Sequence, residues 1–564
     1  MRIRQKIGIL AALFGAASLC FGQHRKLSTD FEGRDPEAPV NVIIQYKQPP
    51  QQSHIEAVLS RGGRHLRTLG VVNGEVYSVA PKALADLAND PDVAYISPDR
   101  TVNGLSNQTS PLAPDFKLQA VGADMAQLNG FNGAGIGVAV IDSGITNKPD
   151  LRGSGFGFMS TASFGSSGGF RVVHAENLMN SNGSTDDDYG HGTHVAGIVG
   201  GNGSQSFGIY AGVAPDVNLI NLMVLDSTGS SSDSTVIAAI ERAIQLQSQY
   251  NIRVINLSLG RPVFESYTVD PLCQAVEAAW KHGIVVVVAA GNDGRDNSAG
   301  TDGYSTITAP GNDPYVITVG AMNTENTLPT SDDRIASYSS KGPTLLDHVV
   351  KPDLVAPGNE IVSVLGDGTL PQQYPQNITD TNYFILSGTS MAAPMVSGAA
   401  ALLLQQNPSL TPDQVKARLM LTASKNFPVS SVATDPTTGI SYTSYYDIFT
   451  VGAGYLNVWA ALNSSANANG MALSPVVSRN PATGIISLLN IVGQNVIWGT
   501  NLIWGTNVIW GTSLVSGNSV IWGTSVIWGT NAPSSLNLIW GTNLIWGTSI
   551  PTGQTSTAVI YGEQ

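Results

Sequence analysis

Short runs of apolar residues alternate with amphipathic segments between about residues 116 and 462. Nearly every position of these runs is apolar, as in strands that are covered on both faces. The clearest runs lie at 136–141, 217–224, 254–257 and 284–289, and helical segments lie at 234–248 and 272–282. The alternation predicts an α/β domain with a mostly parallel sheet and helices on both faces, in which functional groups collect at the carboxyl ends of the strands.

A second pattern occupies residues 40–100. It indicates a strand, a helix, a pair of strands, a second helix and a last strand, at 40–46, 53–60, 65–80, 81–89 and 93–96. This β-α-β-β-α-β order is typical of a small ferredoxin-like α+β unit. The unit has no motif that indicates chemistry, and a stretch rich in Asn, Ser, Thr and Pro at 103–114 follows it.

The first 22 residues have the pattern of a secretory signal peptide. Arg2, Arg4 and Lys6 precede an apolar run at 7–21 that is too short to span a membrane comfortably. We therefore expect an exported protein that is secreted, extracellular or located at the cell surface. Once this segment is removed, Cys273 is the one remaining cysteine, so we expect no internal disulfide.

The end of the chain has a third pattern, since residues 491–562 contain no charged residue and repeat a hexad that ends in Ile-Trp-Gly-Thr. Positions on this register that lack Trp are 18 residues apart, at Ser516, Ser534 and Thr552. This period predicts a triangular β-solenoid, and a stack of β-hairpins is the competing interpretation. Either arrangement keeps the Trp side chains on one face. That face either stacks internally or forms a ladder that binds the cell envelope or polysaccharide.

Composition bears on partners and on the number of domains. Charged residues make up 12% of the 564 residues, and the formal net charge is -13 with a pI near 5.0. This acidity argues against nucleic acid as a partner. The length suggests several units. We expect their boundaries at 1–22 (signal peptide), 23–110 (small α+β unit), 111–463 (α/β domain), 464–490 (linker) and 491–564 (β-rich repeat tail).

Candidate chemistry lies where predicted strands end or helices begin. Asp142 directly follows the first apolar run and is either a turn residue or a catalytic carboxylate. His191 and His194 share one helical face, which would suit a metal, but no third ligand accompanies them. Asn292 is either a turn residue or an amide donor. Ser390 is either a helix N-cap or a nucleophile at the positive end of a helix dipole.

Asp142, His191 and Ser390 occur in this order, each within a specific motif. Asp-Ser-Gly, Gly-His-Gly-Thr-His-Val-Ala-Gly and Gly-Thr-Ser-Met-Ala-Ala-Pro together resemble the motifs of the subtilisin-like serine peptidases, the subtilases. Further matching motifs are Ile-Asn-Leu-Ser-Leu-Gly at 255–260, Ala-Ala-Gly-Asn at 289–292, Tyr-Ser-Ser-Lys-Gly-Pro at 338–343 and Pro-Asp-Leu-Val-Ala-Pro-Gly at 352–358. The resemblance covers about residues 112–463 and implies a subtilisin-like fold.

The resemblance implies a serine endopeptidase that hydrolyses peptide bonds in proteins and needs no catalytic metal. Ser390 would attack the scissile carbonyl, His191 would carry the proton, and Asp142 would orient the imidazole. Asn292 and the Ser390 N–H would hold the oxyanion, and His194 would have a packing role. The alternative is an adhesive or structural surface protein with an inactive peptidase domain. The presence of all four catalytic groups favours the enzyme.

The family also implies where substrate lies. An extended peptide would pair with two backbone edges, at 225–231 and 258–260, and small residues at 289–291 would line the first specificity pocket. The expected substrate-binding residues are Leu225, Gly229, Ser258, Leu259, Gly260, Ala289, Ala290 and Gly291.

Two further features follow from the same resemblance. Asp150, in Lys-Pro-Asp-Leu, matches a ligand position for a structural calcium ion, and 202–209 resembles the companion loop. Residues 23–110 resemble the inhibitory propeptide of the family, so the protein would be made as a zymogen. The end of this propeptide, at 101–110, would lie in the active site and be cut autocatalytically.

Overall fold

The structure is a computed structural model that describes residues 26–31, 33–104, 107–108, 115–153, 169–435, 438–466, 470–479 and 486–489. The predicted signal peptide and the repeat tail lie outside the described residues. Chain contacts divide the protein into two compact units. The smaller comprises Met1–Arg100 and Phe264–Gln274, and the larger comprises Thr101–Val263 and Ala275–Gln564.

The smaller unit contains a four-stranded antiparallel sheet and two helices. Its strands are β1 Val40–Tyr46, β2 Arg64–Leu69, β3 Gly74–Val79 and β4 Val93–Pro98, and its helices are α1 Gln52–Leu59 and α2 Leu84–Ala88. The spatial order is β2-β3-β1-β4, so each helical connection passes over a neighbouring strand, as a β-α-β-β-α-β chain does in a ferredoxin-like unit. The last five residues of β1 are buried, and Ile44 and Tyr46 contribute to the core of this unit.

A buried charge cluster at Arg100 belongs to the smaller unit. The guanidinium donates to Glu265 at 2.5 Å and to Asp30 at 3.1 Å, and it also reaches the Ser28 hydroxyl at 2.9 Å. Burial alone raises the pKa of Asp30, but the Arg100 charge and the hydrogen bonds outweigh this and hold the pKa below its ordinary value. Glu265 is thereby part of the charge network of this unit.

The larger unit is built around a sheet of eight strands. Its strands are β5 Thr101–Gly104, β6 Asn107–Gln108, β7 Gly137–Asp142, β8 Val172–Asn177, β9 Asn218–Met223, β10 Ser230–Ser232, β11 Ile252–Leu257, β12 Leu259–Gly260, β13 Val285–Ala289, β14 Ile317–Asn323, β15 Arg334–Ile335, β16 Leu354–Pro357, β17 Ile361–Val364, β18 Ile378–Asp380, β19 Tyr383–Ser387, β20 Ser430–Thr434, β21 Ser441–Tyr445, β22 Val476–Arg479 and β23 Ile486–Leu489. The helices are α3 Lys117–Val121, α4 Ala123–Leu128, α5 His191–Gly200, α6 Asp233–Tyr250, α7 Pro271–Lys281, whose first turn falls in the smaller unit, α8 Thr369–Gln373, α9 Thr389–Gln406, α10 Pro412–Thr422 and α11 Val458–Leu462.

The large sheet has the order β15-β14-β13-β11-β7-β9-β8, and β16 pairs with β14. Every pairing in it is parallel except that of β14 with β15. All residues of β7 and β13 are buried, as their unbroken apolar runs predict. The predicted α/β fold class, with its mostly parallel sheet, is confirmed.

The neighbouring strands β7, β11 and β13 bring the candidate chemistry to one edge of this sheet. β7 ends at Asp142, Ser258 follows β11, and Asn292 lies three residues beyond β13. The carboxyl ends of adjacent parallel strands lie side by side, so three motifs that are distant in sequence meet there. This edge is where functional groups were expected.

Helix α9 is buried from Thr389 to Leu404, because it is rich in Ala and other small or apolar residues on all sides. Gly398 allows a close approach, since a Cβ there would lie 2.6 Å from the Val213 side chain. Among the described residues, no helix is both long and apolar enough to cross a membrane.

Residues 470–479, which the sequence places within a linker, pack on the larger unit. The Ser474 N–H donates to the Pro314 carbonyl at 2.9 Å, and the Pro475 carbonyl accepts from the Val350 N–H at 2.8 Å. The Val477 N–H donates in turn to the His348 carbonyl at 2.9 Å. The packed part of the larger unit therefore continues beyond the expected boundary at 463.

The Ser474 hydroxyl also belongs to a buried charge cluster. Lys351 and Lys416 lie 2.7 and 3.1 Å from the Asp353 carboxylate. The hydroxyl donates to Asp353 at 2.5 Å and accepts from Lys416 at 2.9 Å. Burial lowers the pKa of Lys416 to about 7, although the Asp353 charge acts in the opposite direction. The hydroxyl thus bonds to two buried charged groups.

We expect Ser474→Ala to lower the free energy of unfolding by about 1.5–3 kcal/mol, the range for hydrogen bonds to charged groups. Guanidinium chloride unfolding of the full chain, followed by circular dichroism, measures the effect. Ser478→Ala, at an exposed position of the same segment, is the matched control and should change stability by less than about 0.5 kcal/mol. Equal effects of the two substitutions would contradict a stabilising role for this hydroxyl.

Candidate active site

Asp142 and His191 are joined by a short hydrogen bond in the interior of the larger unit. His191 Nδ1 lies 2.6 Å from Asp142 Oδ1, and both side chains are buried. Asp142 Oδ1 also accepts from the Ser143 N–H at 2.8 Å, and the Asp142 carbonyl accepts from the Val224 N–H at 2.7 Å. The carboxylate and its backbone are therefore held in place, and the bond assigns the proton of the neutral imidazole to Nδ1.

His191 is the first residue of α5, and a buried carboxylate holds this end of the helix. Asp187 accepts hydrogen bonds from the N–H groups of Gly190 and Thr193, each at 2.7 Å. It also accepts from the Ser143 hydroxyl at 2.7 Å. Burial raises the pKa of Asp187, and these donors act to lower it. Asp187 thereby links the turn after Asp142 to the helix that begins at His191.

Ser390 lies in the first turn of α9, where Pro394 changes the backbone hydrogen bonding. A residue at position 394 would normally donate its N–H to the carbonyl of residue 390, and proline has no N–H. The Ser390 carbonyl instead accepts from the Ser258 hydroxyl at 2.8 Å. Pro394 therefore allows a side chain from the end of β11 to hold the backbone of Ser390.

The Ser390 hydroxyl donates to the Ser258 carbonyl at 2.9 Å. His191 Nε2 is buried and has no hydrogen-bond partner within the described part of the chain. Rotation of the Ser390 side chain away from Ser258 is needed before Nε2 accepts its proton. Catalytic hydrogen bonds often form only when substrate is bound, so this geometry is compatible with a nucleophile and its base.

The amide of Asn292 is oriented by Thr389. Asn292 Oδ1 accepts from the Thr389 N–H at 3.0 Å and from its hydroxyl at 3.1 Å. The same hydroxyl accepts from the Gly291 N–H at 3.1 Å. Because both bonds engage the amide oxygen, they determine which end of the amide is the NH₂ donor. Asn292 is thus anchored to the residue that precedes Ser390.

His194 bonds to the backbone of two paired strands. Its Nε2 donates to the carbonyls of Ile361 at 3.1 Å and Phe384 at 3.0 Å, which belong to the paired strands β17 and β19. Burial lowers the pKa of His194 to about 3, so the ring is neutral at ordinary pH. This geometry fits a packing role.

Residues 101–104 form a strand between the two edges that the sequence predicts for substrate. β5 pairs antiparallel with β10, where Val102 faces Ser231, and with β12, where Asn103 faces Gly260. Beyond residues 105–106, β6 pairs antiparallel with β19. The chain therefore pairs with itself both before and after residues 105–106.

Leu225 and Gly229 precede β10, the part of the predicted edge that pairs with β5. Leu225 is fully buried, and its N–H donates to the Asp142 carbonyl at 3.2 Å. Gly229 has φ +76°, and a Cβ there would lie 2.6 Å from the Tyr189 ring. It belongs to a turn in which Asp226 accepts from the Gly229 N–H and donates its own N–H to Ser230. This turn shifts the paired edge to Ser230–Ser232.

Ala289, Ala290 and Gly291 are buried at and just beyond the end of β13. Gly291 has φ +110°, and a Cβ there would lie 2.8 Å from Ser340 and Thr308, so the close packing requires glycine. Their contribution to a specificity pocket stays a prediction from the sequence.

No group of three or more His, Cys, Asp or Glu side chains that could hold a metal occurs in the part of the chain that the structure describes. Asp150 is buried, and both of its carboxylate oxygens accept hydrogen bonds from protein groups. The structure therefore does not place Asp150 in a metal-ligand cluster.

Comparison with known proteins agrees with this geometry. The family model described as the subtilase family matches residues 133–439. The chain belongs to the subtilase family. The resemblance to the subtilases, which rests on the motifs around Asp142, His191 and Ser390, is thereby confirmed.

Two curated relatives show how far the similarity of this subtilase extends. Serine protease AprX of Bacillus subtilis is 40% identical over 295 residues, which cover 51% of this chain and 61% of AprX. Subtilisin E of Bacillus subtilis is 35% identical over 369 residues, which cover 65% of this chain and 80% of subtilisin E. The chain thus spans somewhat less than two thirds of AprX and most of subtilisin E.

A solved structure supports the fold. Fervidolysin from Fervidobacterium pennivorans, described as a keratinolytic enzyme related to subtilisin, aligns with a TM-score of 0.57 at 24% identity. The alignment covers 79% of this chain and 63% of fervidolysin. At this identity the likeness establishes a subtilisin-like fold for the subtilase and nothing about its substrate.

We expect Asp187→Ala to reduce kcat about a hundredfold with little change in KM, because loss of the helix anchor displaces His191 relative to Asp142. Steady-state hydrolysis of a chromogenic peptide measures both constants. Asp188→Ala, an exposed neighbour, is the matched control. Active-site titration and the melting temperature separate slow catalysis from loss of folded enzyme. A folded Asp187→Ala variant with the parental kcat would show that the anchor does not position His191.

Proposed function

We propose that this subtilase is a secreted serine endopeptidase that is made as a zymogen and hydrolyses peptide bonds in proteins. The observations that support this most directly are the buried Asp142–His191 hydrogen bond and the position of Ser390 in the first turn of α9. The family provides the roles of these residues. An adhesive protein with an inactive peptidase domain would not require Asp142, His191 and Asn292 all to be oriented in this way.

In the proposed reaction, the Ser390 hydroxyl attacks the scissile carbonyl carbon while His191 Nε2 takes the hydroxyl proton. Asp142 stabilises the imidazolium through Nδ1. The imidazolium then gives its proton to the leaving amine as the acyl-enzyme forms. A water molecule repeats the sequence, with His191 again acting as base, and releases the acid product.

The negative charge of the tetrahedral intermediate would be stabilised by the Asn292 amide and the Ser390 N–H. The hydrogen bonds from Thr389 to Asn292 Oδ1 support this role, because they orient the amide before substrate arrives. In subtilisin itself, loss of such an asparagine costs about a hundred- to a thousandfold in turnover. No metal takes part in any of these steps.

Substrate would bind as β5 does, extended between Ser230–Ser232 and Leu259–Gly260. The supporting observation is that β5 pairs with both edges through main-chain hydrogen bonds. Such pairing accepts many sequences, so side-chain pockets would provide the selectivity. Proteins and peptides are therefore the expected substrate class.

We expect Ser390→Ala to abolish casein hydrolysis, because the side chain that forms the acyl-enzyme is absent. A serine-directed phosphonate should inhibit the parent enzyme by labelling Ser390, which mass spectrometry of the labelled peptide identifies. Ser397→Ala removes a serine from the same helix outside the triad and is the control for folding and expression. Full activity of the Ser390→Ala variant would overturn the assignment.

The register of β5 and β6 limits where the zymogen would be cut. Gly104, the last residue of β5, faces Leu259, which follows Ser258, and Asn107, the first residue of β6, faces Ser387, three residues before Ser390. The scissile bond then lies between positions 104 and 107. Leu105 is the one large apolar residue from 103 to 110, and it suits a pocket lined by small residues at 289–291.

We expect autocatalytic cleavage at Leu105–Ser106. Sequencing both the C-terminus of the released propeptide and the N-terminus of the secreted enzyme identifies the first cut even when later trimming occurs. Leu105→Asp should slow processing at least about tenfold, since burying a carboxylate in an apolar pocket is costly. Leu112→Asp, the same substitution seven residues further along the chain, is the matched control. A propeptide that ends before Gly104 or after Asn107 would contradict the register.

The proposal has three further parts. The signal peptide would direct export, the protein would be retained at the surface, and the tail would bind cell envelope or polysaccharide. These features rest on the sequence patterns of residues 1–22 and 491–564. Both segments lie outside the described residues. The Trp-rich tail would keep the peptidase near the material that it binds.

A further inference from the structure

The region around Asp150 is where the family resemblance implies a structural calcium ion. The Asp150 carboxylate is 2% exposed and receives three hydrogen bonds from the protein. Oδ1 accepts from the Ser204 hydroxyl at 2.8 Å and from the Gln205 N–H at 2.9 Å, and Oδ2 accepts from the Tyr383 hydroxyl at 2.5 Å. Calcium requires several oxygen atoms whose lone pairs point at the ion. Protein hydrogens already occupy this carboxylate, so the residues present do not fit a calcium site.

A buried arginine provides positive charge in the same region. The Arg171 side chain is almost fully buried, and all three of its guanidinium nitrogens donate to backbone carbonyls. Nε donates to Arg152 at 3.0 Å, and Nη1 donates to Val217 at 3.0 Å. Nη2 donates to Asp150 at 3.1 Å and also to Gly200. Four carbonyl oxygens from three chain segments thus surround one cation.

These carbonyls connect elements that the catalytic site depends on. Gly200 is the last residue of α5, which begins at His191, and Val217 precedes β9, the strand next to β7. Residues 150 and 152 lie in and beside the short turn Pro149–Leu151. Arg171 therefore ties the C-terminal end of the helix that begins at His191 to this turn and to the start of β9, the neighbour of the strand that carries Asp142.

The arginine retains its charge in this setting. Burial lowers the pKa of Arg171 to about 10, while the charges of Asp216 and Asp150 raise it. The side chain is therefore a cation at neutral pH. Backbone carbonyls are ligands that hard cations prefer, and a guanidinium has five N–H donors with which to satisfy them.

We propose that the guanidinium of Arg171, together with the donors on Asp150, takes the place of a structural calcium ion in this subtilase. The loop at 202–209 closes directly on Asp150 through Ser204 and Gln205 rather than through a metal. The folded state in this region is consequently independent of calcium. This inference concerns stability and does not rest on the proposed catalytic activity.

Thermal unfolding of the full chain carrying Ser390→Ala tests the proposal without self-digestion. We expect the melting temperature to change by less than about 1 °C between excess EDTA and millimolar calcium chloride, whereas saturation of a bound ligand would shift it by several degrees. Arg171→Met should lower the melting temperature by about 5 °C or more, because the carbonyls of Val217 and Gly200 lose the arginine donor and those of Asp150 and Arg152 keep only Asn202. Arg171→Lys keeps the positive charge but loses the planar set of guanidinium donors. Its melting temperature should therefore lie between those of the parent and of Arg171→Met.

Two variants make the outcome decisive. Arg152→Met, an exposed arginine of the same region, is the matched control and should shift the melting temperature by less than about 2 °C. Asp150→Asn identifies the source of any calcium response. A calcium-dependent increase that Asp150→Asn removes would overturn the proposal, as would an Arg171→Met variant as stable as Arg152→Met. A calcium-dependent increase that persists in the Asp150→Asn variant comes from a site other than Asp150. In that case the melting temperatures of Arg171→Met and Arg152→Met decide whether Arg171 stabilises this region.

Discussion

The hydrogen bond between Asp142 and His191 depends on the parallel arrangement of the central sheet. β7 ends at Asp142 in the interior, where an isolated carboxylate would be costly. The Ser143 N–H and the imidazole reduce that cost, and the helix anchor at Asp187 helps to define the geometry. The same groups thus satisfy a folding requirement and prepare a base for catalysis. Buried polar networks of this kind are stable only when nearly every member has a partner.

The sequence predicts this part of the molecule well because its signals are local. Asp142 and Asn292 each follow an unbroken apolar run, and Ser390 stands where a strand gives way to a helix. Parallel strands then bring the strand ends together without further information. Asp187 carries a weaker local signal, since it is an acidic residue four positions before His191 at a helix start, and it is found only once its bonds to Ser143 and Thr193 are visible.

Other features depend on contacts that no local pattern encodes. The turn at 226–230 displaces the paired edge from Leu225 to Ser230, and a shift of this kind follows from turn geometry rather than composition. Residues 470–479 fall within the linker that the sequence predicts, yet Ser474 bonds to buried charges far away in sequence. Asp150 stands where the resemblance implies a calcium ligand, yet its carboxylate accepts hydrogen bonds from Ser204 and Tyr383. In each case the distant partner decides the role.

The two backbone edges beside Ser390 are short, with three residues in β10 and two in β12. An exposed strand edge invites pairing with other copies of a protein and hence aggregation, and natural proteins limit this hazard by keeping such edges short. If β5 leaves as proposed, a single extended chain would pair with both short edges at once, whereas either edge alone offers few hydrogen bonds to a neighbouring molecule. The two short edges therefore favour a chain that lies between them over the side-by-side association of whole molecules.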